Sequence, residues 1–220
     1  MIGNNDRANF ENRLLSKENV SELAAQTQLV YQRNASRFAS ERPKDLVEKT
    51  WLEQFRKMMP KNGEILDLGC GGGEPITSYF MRQGHNVVGL DASANMIQIA
   101  RQNLPEGDWR VEDIRTFDFI ERFHGIIGWN SFFHLTRQEQ RNALPNIAKH
   151  LRLEGALLLT VGPQDGEVAG WVCDDRVYHA SLSQLEYSDI LSNLGLQVHK
   201  FVVEDPDCYG MTILLAQKQC

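Results

Sequence analysis

An acid stands directly before a run of glycines in "EILDLGCGGGEPI", residues 64–76, and a second acid ends the next apolar run, "NVVGLD". The first acid is Asp67, followed at one remove by Gly69, Cys70, Gly71, Gly72 and Gly73. Glycines at a strand exit let the main chain approach a ligand, and a helix N-terminus just beyond supplies free N–H groups. By itself such a loop is a weak signal, since a tight strand-to-helix turn with no ligand also uses glycines. The second acid, Asp91, lies 22 residues after Gly69. A carboxylate there can accept hydrogen bonds from ribose hydroxyls. Loop and acid together predict an adenosine-containing ligand.

Three features narrow that ligand. Asp67 occupies a position where a nicotinamide dinucleotide fingerprint usually has an apolar residue. A carboxylate there can receive the ammonium of an amino-acid ligand, directly or through water. Glu112-Asp113 follow the third predicted strand, where an acid can accept the exocyclic amine of adenine. The chain closes with "LQVHKFVVE" and "MTILLAQK" around the turn-rich "DPDCYG", an antiparallel pair that a dinucleotide fold does not require.

These residues are positioned by alternating elements. Apolar residues recur at helical spacing from about Val20 to Phe38, after a polar, Asn-rich first dozen residues expected to be loose. Asp45 and Glu48 read as a capping box for a second helix that Gly63 ends. "EILDL" is a short buried strand, and Glu74-Pro75 opens a helix that stops at Gly84. "NVVGLD" is the second strand. Ser93 then caps a helix with Met96, Ile97, Ala100 and Leu104 on its inner face. "DWRVEDI" and "FHGIIGWN" follow as strands, and Thr136 and Glu139 form a capping box for a helix that Pro145 is expected to kink or split. "GALLLTVG" is a fifth strand, and Ser183 with Glu186 caps a helix ending at Gly195. Strand and helix alternating in this way predict a doubly wound α/β sheet, which binds ligands beyond the carboxyl ends of its strands.

"ILDLGCGGGEPI", "VVGLDASANMIQIA", "VEDI", "GALLLT" and the terminal hairpin together resemble a class I S-adenosylmethionine-dependent methyltransferase, over about residues 45–218. The resemblance implies a seven-stranded, mostly parallel Rossmann-like sheet whose last strand is antiparallel. It implies that Asp67 and the loop Gly69, Cys70, Gly71 and Gly73 line the methionine part of the cofactor. Asp91 then binds the ribose and Asp113 the adenine, a role Glu112 can also fill. Ala92 and Ile114 pack on the adenine, and Met96, Asn130 and Ser131 complete the cofactor set. Many members carry Thr or Ser in a "GCGTG" loop. Here it is "GCGGG", which leaves the backbone role intact. The resemblance also makes residues 1–45 a helical lid and residues 46–220 the methyltransferase domain. Tyr31 of the lid then packs near the methionine moiety, and Arg33 or Arg37 meets a carboxylate.

A sulfonium methyl is an intrinsic electrophile, so methyl transfer needs placement and water exclusion more than a fixed triad. The fourth strand exits as "GWNSFFHLT", which in this fold passes beside the methyl group. Asn130 there can orient the cofactor or the acceptor, and Trp129, Phe132 or Phe133 can face the cation or an apolar substrate. The Asn-Pro-Pro-Tyr signature of amino-methylating nucleic-acid and protein enzymes is missing, which argues against an exocyclic amine. His134 is the best general-base candidate, and a histidine that only ties down a loop fits the position too. Tyr178 and His179, in "GWVCDDRVYHASL", can contact the acceptor, or the segment is a structural hairpin.

A net charge of −6 argues against a general nucleic-acid surface and for a small-molecule acceptor. Cys70, Cys173, Cys208 and Cys220 form no CxxC pair, and the histidines lack metal spacing, so no metal is expected. No apolar stretch approaches the roughly 20 residues that span a bilayer, and the first residues lack a signal-peptide core, so a cytoplasmic location is expected. The predicted function is methyl transfer from S-adenosylmethionine to an O, N or S nucleophile. The rivals are a nicotinamide-dependent reductase, a non-catalytic cofactor-binding or regulatory protein, and a macromolecular methyltransferase.

Overall fold

The computed structural model describes residues 17–219. The expectation of a loose first dozen residues lies outside them. The elements are α1 (Lys17–Glu41), α2 (Lys49–Lys57), β1 (Glu64–Leu68), α3 (Ile76–Arg82), β2 (Asn86–Asp91), α4 (Ala94–Asn103), β3 (Asp108–Val111), β4 (Phe123–Gly128), α5 (Arg137–His150), β5 (Leu151–Val161), β6 (Gly166–Val172), β7 (Asp175–Ser181), α6 (Gln184–Asn193), β8 (Leu196–Asp205) and β9 (Met211–Lys218).

Seven strands form one sheet in the order β3-β2-β1-β4-β5-β9-β8. The first five neighbours run parallel, and β9 inserts antiparallel between β5 and β8. Alternation along the strands builds two apolar layers. Leu66, Leu68, Ile126, Leu157, Leu159 and Leu214 face α5 and α6, meeting Leu144, Ile147, Tyr187 and Leu191. Ile65, Ile127, Leu158, Ile213 and Leu215 face the other way, onto Trp51 and Phe55 of α2 and Ile76 and Phe80 of α3. The same period of two puts Asp67 on the face of Ile65, toward α3.

The segment between β5 and α6 is a hairpin, β6 paired antiparallel with β7 outside the main sheet. Helix α1 lies against it. Val30 packs with Val172 and Val177, and the Tyr178 N–H donates to Thr27 Oγ1 at 2.9 Å. Arg33 bridges Asp175 at 2.7 Å, and Arg37 bridges Asp174 at 2.5 Å.

Local expectations are corrected in three places. Asp45 and Glu48 form no capping box: Glu48 is itself the N-cap residue without a side-chain cap bond, and Asp45 accepts from the Tyr209 hydroxyl at 3.0 Å. Helix α2 ends at Lys57, not Gly63, which sits in a turn bonded to the Pro60 carbonyl. Pro145 does not split α5. It lies on the exposed side of the helix, where water can satisfy the carbonyl its missing N–H leaves free. The Thr136–Glu139 capping box is present in both halves. Replacing Thr136 by Ala should therefore cost about 1 kcal/mol. Thermal denaturation checks this, with an expected fall of roughly 2–4 °C for a chain of this size.

Candidate functional site

A cavity opens beyond the carboxyl ends of β1, β2 and β4, where the strand order reverses around β1. The sequence-predicted residues Tyr31, Asp67, Gly69, Cys70, Gly71, Asp91, Ala92, Met96, Asp113, Ile114, Asn130, Ser131 and His134 all line it. Gly73, Tyr178 and His179 do not.

The loop explains the difference between its glycines. Gly69 has φ +73°, and a Cβ there would stand 2.4 Å from the Ser131 Cβ, so the strand-one exit and the strand-four exit touch only because it is glycine. The Ser131 hydroxyl donates to the Leu68 carbonyl at 2.5 Å and fixes that contact. Gly73 instead makes room for the Trp109 ring, 2.9 Å from its would-be Cβ, and serves packing under α4.

Asp67 is 3% exposed and accepts from Thr77 Oγ1 at 2.5 Å. Burial pushes its carboxyl from 3.8 up to about 6, with the Thr77 hydrogen bond pulling the other way. Asp91 accepts from the Gly71 N–H at 3.0 Å and from the Ser93 N–H at 2.8 Å, so it ties the glycine loop to the start of α4. Burial raises it to about 6 as well, against those two hydrogen bonds. Neither carboxylate forms an ion pair among the described residues. Of the adjacent pair after β3, Asp113 lines the cavity and Glu112 does not. Burial raises Asp113, but the Arg115 side chain and N–H outweigh it and hold the carboxyl below its usual range. Arg115 reaches on to Glu139 at 3.1 Å.

His134 is held on both ring nitrogens. Nδ1 lies 2.8 Å from the Tyr178 carbonyl, which can only accept, so Nδ1 carries the proton. Nε2 lies 2.8 Å from the Tyr31 hydroxyl, which therefore donates to it. Burial depresses the imidazole to about 4, against the pull of the Tyr178 carbonyl. The ring is neutral at pH 7 and its one lone pair is already used. Tyr31 rises above its ordinary range through burial and the nearby Asp91. His179 stacks near His134, ring centroids 4.9 Å apart, and burial and that neighbour lower it to about 3. The Tyr178 ring is fully buried, with its hydroxyl donating to Glu167 at 2.5 Å. It is the Tyr178 carbonyl, not its phenol, that reaches the site residues. Phe132 is core, Phe133 packs on His134 and His179, and Trp129 alone of the aromatics after β4 lines the cavity.

Sequence reasoning missed Arg42, Gln28 and Phe38, which also line the cavity. Arg33 and Arg37 are occupied by Asp175 and Asp174, leaving Arg42 as the guanidinium of α1's trailing end that faces inward. Its position just before Pro43 was the only local mark.

Residues 65–155 match the family described as a methyltransferase domain. In that segment of its sequence, and in its fold, the chain is similar to methyltransferases. Among curated relatives, a dTDP-3-amino-3,4,6-trideoxy-alpha-D-glucopyranose N,N-dimethyltransferase of Streptomyces venezuelae is 27% identical over 69% of this chain and 65% of its own. The chain spans from about a third to just under two thirds of the length of the first curated relatives it matches. Two solved structures share the fold. A 1,6-didemethyltoxoflavin-N1-methyltransferase of Burkholderia thailandensis has TM-score 0.68 at 16% identity, covering 96% of this chain and 93% of that one. An amino pentose methyltransferase of Micromonospora echinaspora has TM-score 0.65 at 19% identity, covering 86% and 97%.

The raised carboxyls make a stability prediction. The folded Asp67 binds a proton more readily than the unfolded one, so its cost is absent well below pH 4 and complete above about pH 6. Asp67→Asn keeps an acceptor for Thr77 and removes the buried charge. It should raise the melting temperature of the ligand-free protein at pH 7.5, with a smaller gain at pH 5. Thermal melts at the two values check the sign.

Proposed function

We propose that the chain transfers a methyl group from S-adenosylmethionine to an O, N or S nucleophile of a small molecule. The observation that carries this is the pair of unpaired carboxylates, Asp67 and Asp91, at adjacent strand exits beside a glycine loop. Asp67 receives the ammonium of the methionine moiety, and Arg42 its carboxylate. Asp91 takes the ribose hydroxyls on lone pairs left by Gly71 and Ser93. Asp113, braced by Arg115, meets the adenine amine, while Ala92, Met96 and Ile114 flank the ring. The main chain at Gly69 to Gly71, with Ser131, walls the methionine side. Two solved structures of similar fold carry S-adenosylmethionine or S-adenosylhomocysteine, which supports the assignment.

Of the described residues, 17–45 act as a lid on a domain that begins at residue 46. Tyr31 of α1 closes over the cavity, and its hydroxyl on His134 latches the lid to the exit of β4. His134 is thus a neutral clamp for Tyr31. The chemistry the cofactor supplies is an electrophilic methyl on a sulfonium. The chain's part is to hold the acceptor in line and to keep water out. The protein works in the cytoplasm on a small molecule, without nucleic acid. The relatives' small acceptors and the net charge of −6 support this. Among the described residues no helix is long and apolar enough to cross a membrane.

Calorimetric titration with S-adenosylhomocysteine, NAD and NADP tests the proposal. S-adenosylhomocysteine should bind and the nicotinamides should not; the opposite result would sink it. Asp91→Ala should weaken S-adenosylhomocysteine about tenfold or more, the scale of hydrogen bonds to a charged acceptor. Because both carboxylates bind as anions, affinity should fall as pH drops through about 6. An affinity flat from pH 5 to 8 contradicts their role.

A further inference from the structure

A second cavity adjoins the first and shares Phe38, Arg42, Trp129 and Asn130 with it. It lies between the end of α1, the start of α2, the β6–β7 hairpin and the turn joining β8 to β9. Its chemistry differs from that of its neighbour. Trp129, Trp171, Phe38 and Tyr209 give it aromatic walls. Glu41, Asp45 and Glu48 face Arg42 alone among the charged lining residues, so the balance is acidic.

One polar group there lacks the partner that burial normally requires, and one buried acid lacks a close cation. Asn130 Oδ1 is inaccessible to solvent and has no hydrogen-bond partner among the described residues. Its main chain is fixed at φ +55°, with its N–H donating to Thr160 Oγ1 at 2.7 Å. The side chain is therefore held at the junction of the two cavities. Glu48 is only 4% exposed, and its one charged partner, Arg42, stands at 3.8 Å, beyond hydrogen-bond length. The other two acids are already engaged: Glu41 with Arg37 at 2.8 Å, and Asp45 with the Tyr209 hydroxyl at 3.0 Å. A buried acceptor without a donor costs free energy that a ligand can recover.

Resting on the methyl-donor reading of the first cavity, we propose that the second holds the methyl acceptor, and that this acceptor is a basic amine on an aromatic or apolar body. Asn130 Oδ1 takes an N–H of the amine and turns its nitrogen toward the first cavity. Trp129 and Trp171 receive the ring or the cationic head. Glu48 draws in the ammonium and takes one proton from it, and burial already holds this carboxyl above its ordinary range. The freed nitrogen lone pair attacks the sulfonium methyl carbon. The N–C bond forms as the C–S bond breaks, and its electron pair stays on sulfur. The products are a methylammonium, a neutral thioether and a protonated Glu48, which releases its proton to solvent. Charge is +1 before and after. An aliphatic amine needs no Asn-Pro-Pro-Tyr element, because its lone pair is not delocalised into a ring or carbonyl. A carboxylate acceptor would meet Glu48 as a like charge.

Tryptamine and indole-3-propionate share one ring and differ in the sign of the charged end. Each is titrated into protein saturated with S-adenosylhomocysteine. Tryptamine should bind, and indole-3-propionate should bind at least tenfold more weakly. Glu48→Gln should weaken tryptamine about tenfold while S-adenosylhomocysteine stays within about threefold. Glu48 is buried at the start of α2, so Trp171→Ala provides a second variant at a rim position 68% exposed. It should cost tryptamine about threefold and leave the melting temperature unchanged. Equal or tighter binding of indole-3-propionate, no binding of either indole, or tryptamine affinity indifferent to both Glu48→Gln and Trp171→Ala overturns the amine acceptor. Failure of S-adenosylhomocysteine itself to bind overturns the methyl-donor reading instead, so the two failures are distinct.

Discussion

Two carboxylates, Asp67 and Asp91, stand inside the protein without a cation, and the arrangement around them follows from that constraint. A buried unpaired carboxylate is costly, and only hydrogen bonds make it tolerable. Thr77 serves Asp67, and the N–H groups of Gly71 and Ser93 serve Asp91. Those bonds require a glycine loop tight enough to turn back on β2 and a helix that starts at Ser93. They also require the parallel register that sets Asp67 beside Gly89 of β2, two residues short of Asp91. The fold thus concentrates negative charge at one rim of the sheet, and in the proposed function a ligand with an ammonium and hydroxyls completes that rim.

Helix α1 closes the same rim from outside. It is held by side chains rather than by sheet bonds. Gln32 and Gln28 reach the start of α4, Tyr31 reaches His134, and Arg33, Asn34 and Arg37 reach the acids of the β6–β7 turn. Exposed ion pairs of this type hold weakly. A cover fixed by many weak, mostly exposed contacts can open for ligand exchange without disturbing the sheet.

The central half of the chain was legible because its signals are local. Asp67, Gly69, Gly71 and Asp91 lie within a few residues of strand ends, and strand ends come together in a parallel sheet. The caps at Ser93, Thr136 and Ser183 were legible for the same reason. What escaped depends on distant packing. Arg42 and Glu48 meet the site only because α1 folds back over it. Tyr178 was picked out as an acceptor contact, yet the hairpin buries its ring and presents the carbonyl. His134 looked like a base by residue type, but its partners Tyr31 and the Tyr178 carbonyl lie 103 and 44 residues away and consume both nitrogens. Residue type alone cannot show whether a lone pair is free.

The central claim is that Asp67 and Asp91 are held out of their ordinary range until a ligand arrives. Carboxyl carbon-13 NMR titration of the two aspartates, with and without S-adenosylhomocysteine, tests it most directly. Both should titrate near pH 6 in the free protein and drop into or below the ordinary carboxylate range when the ligand is bound. Titration near 4 in the free protein, or midpoints near 6 that the bound ligand does not move, would contradict it.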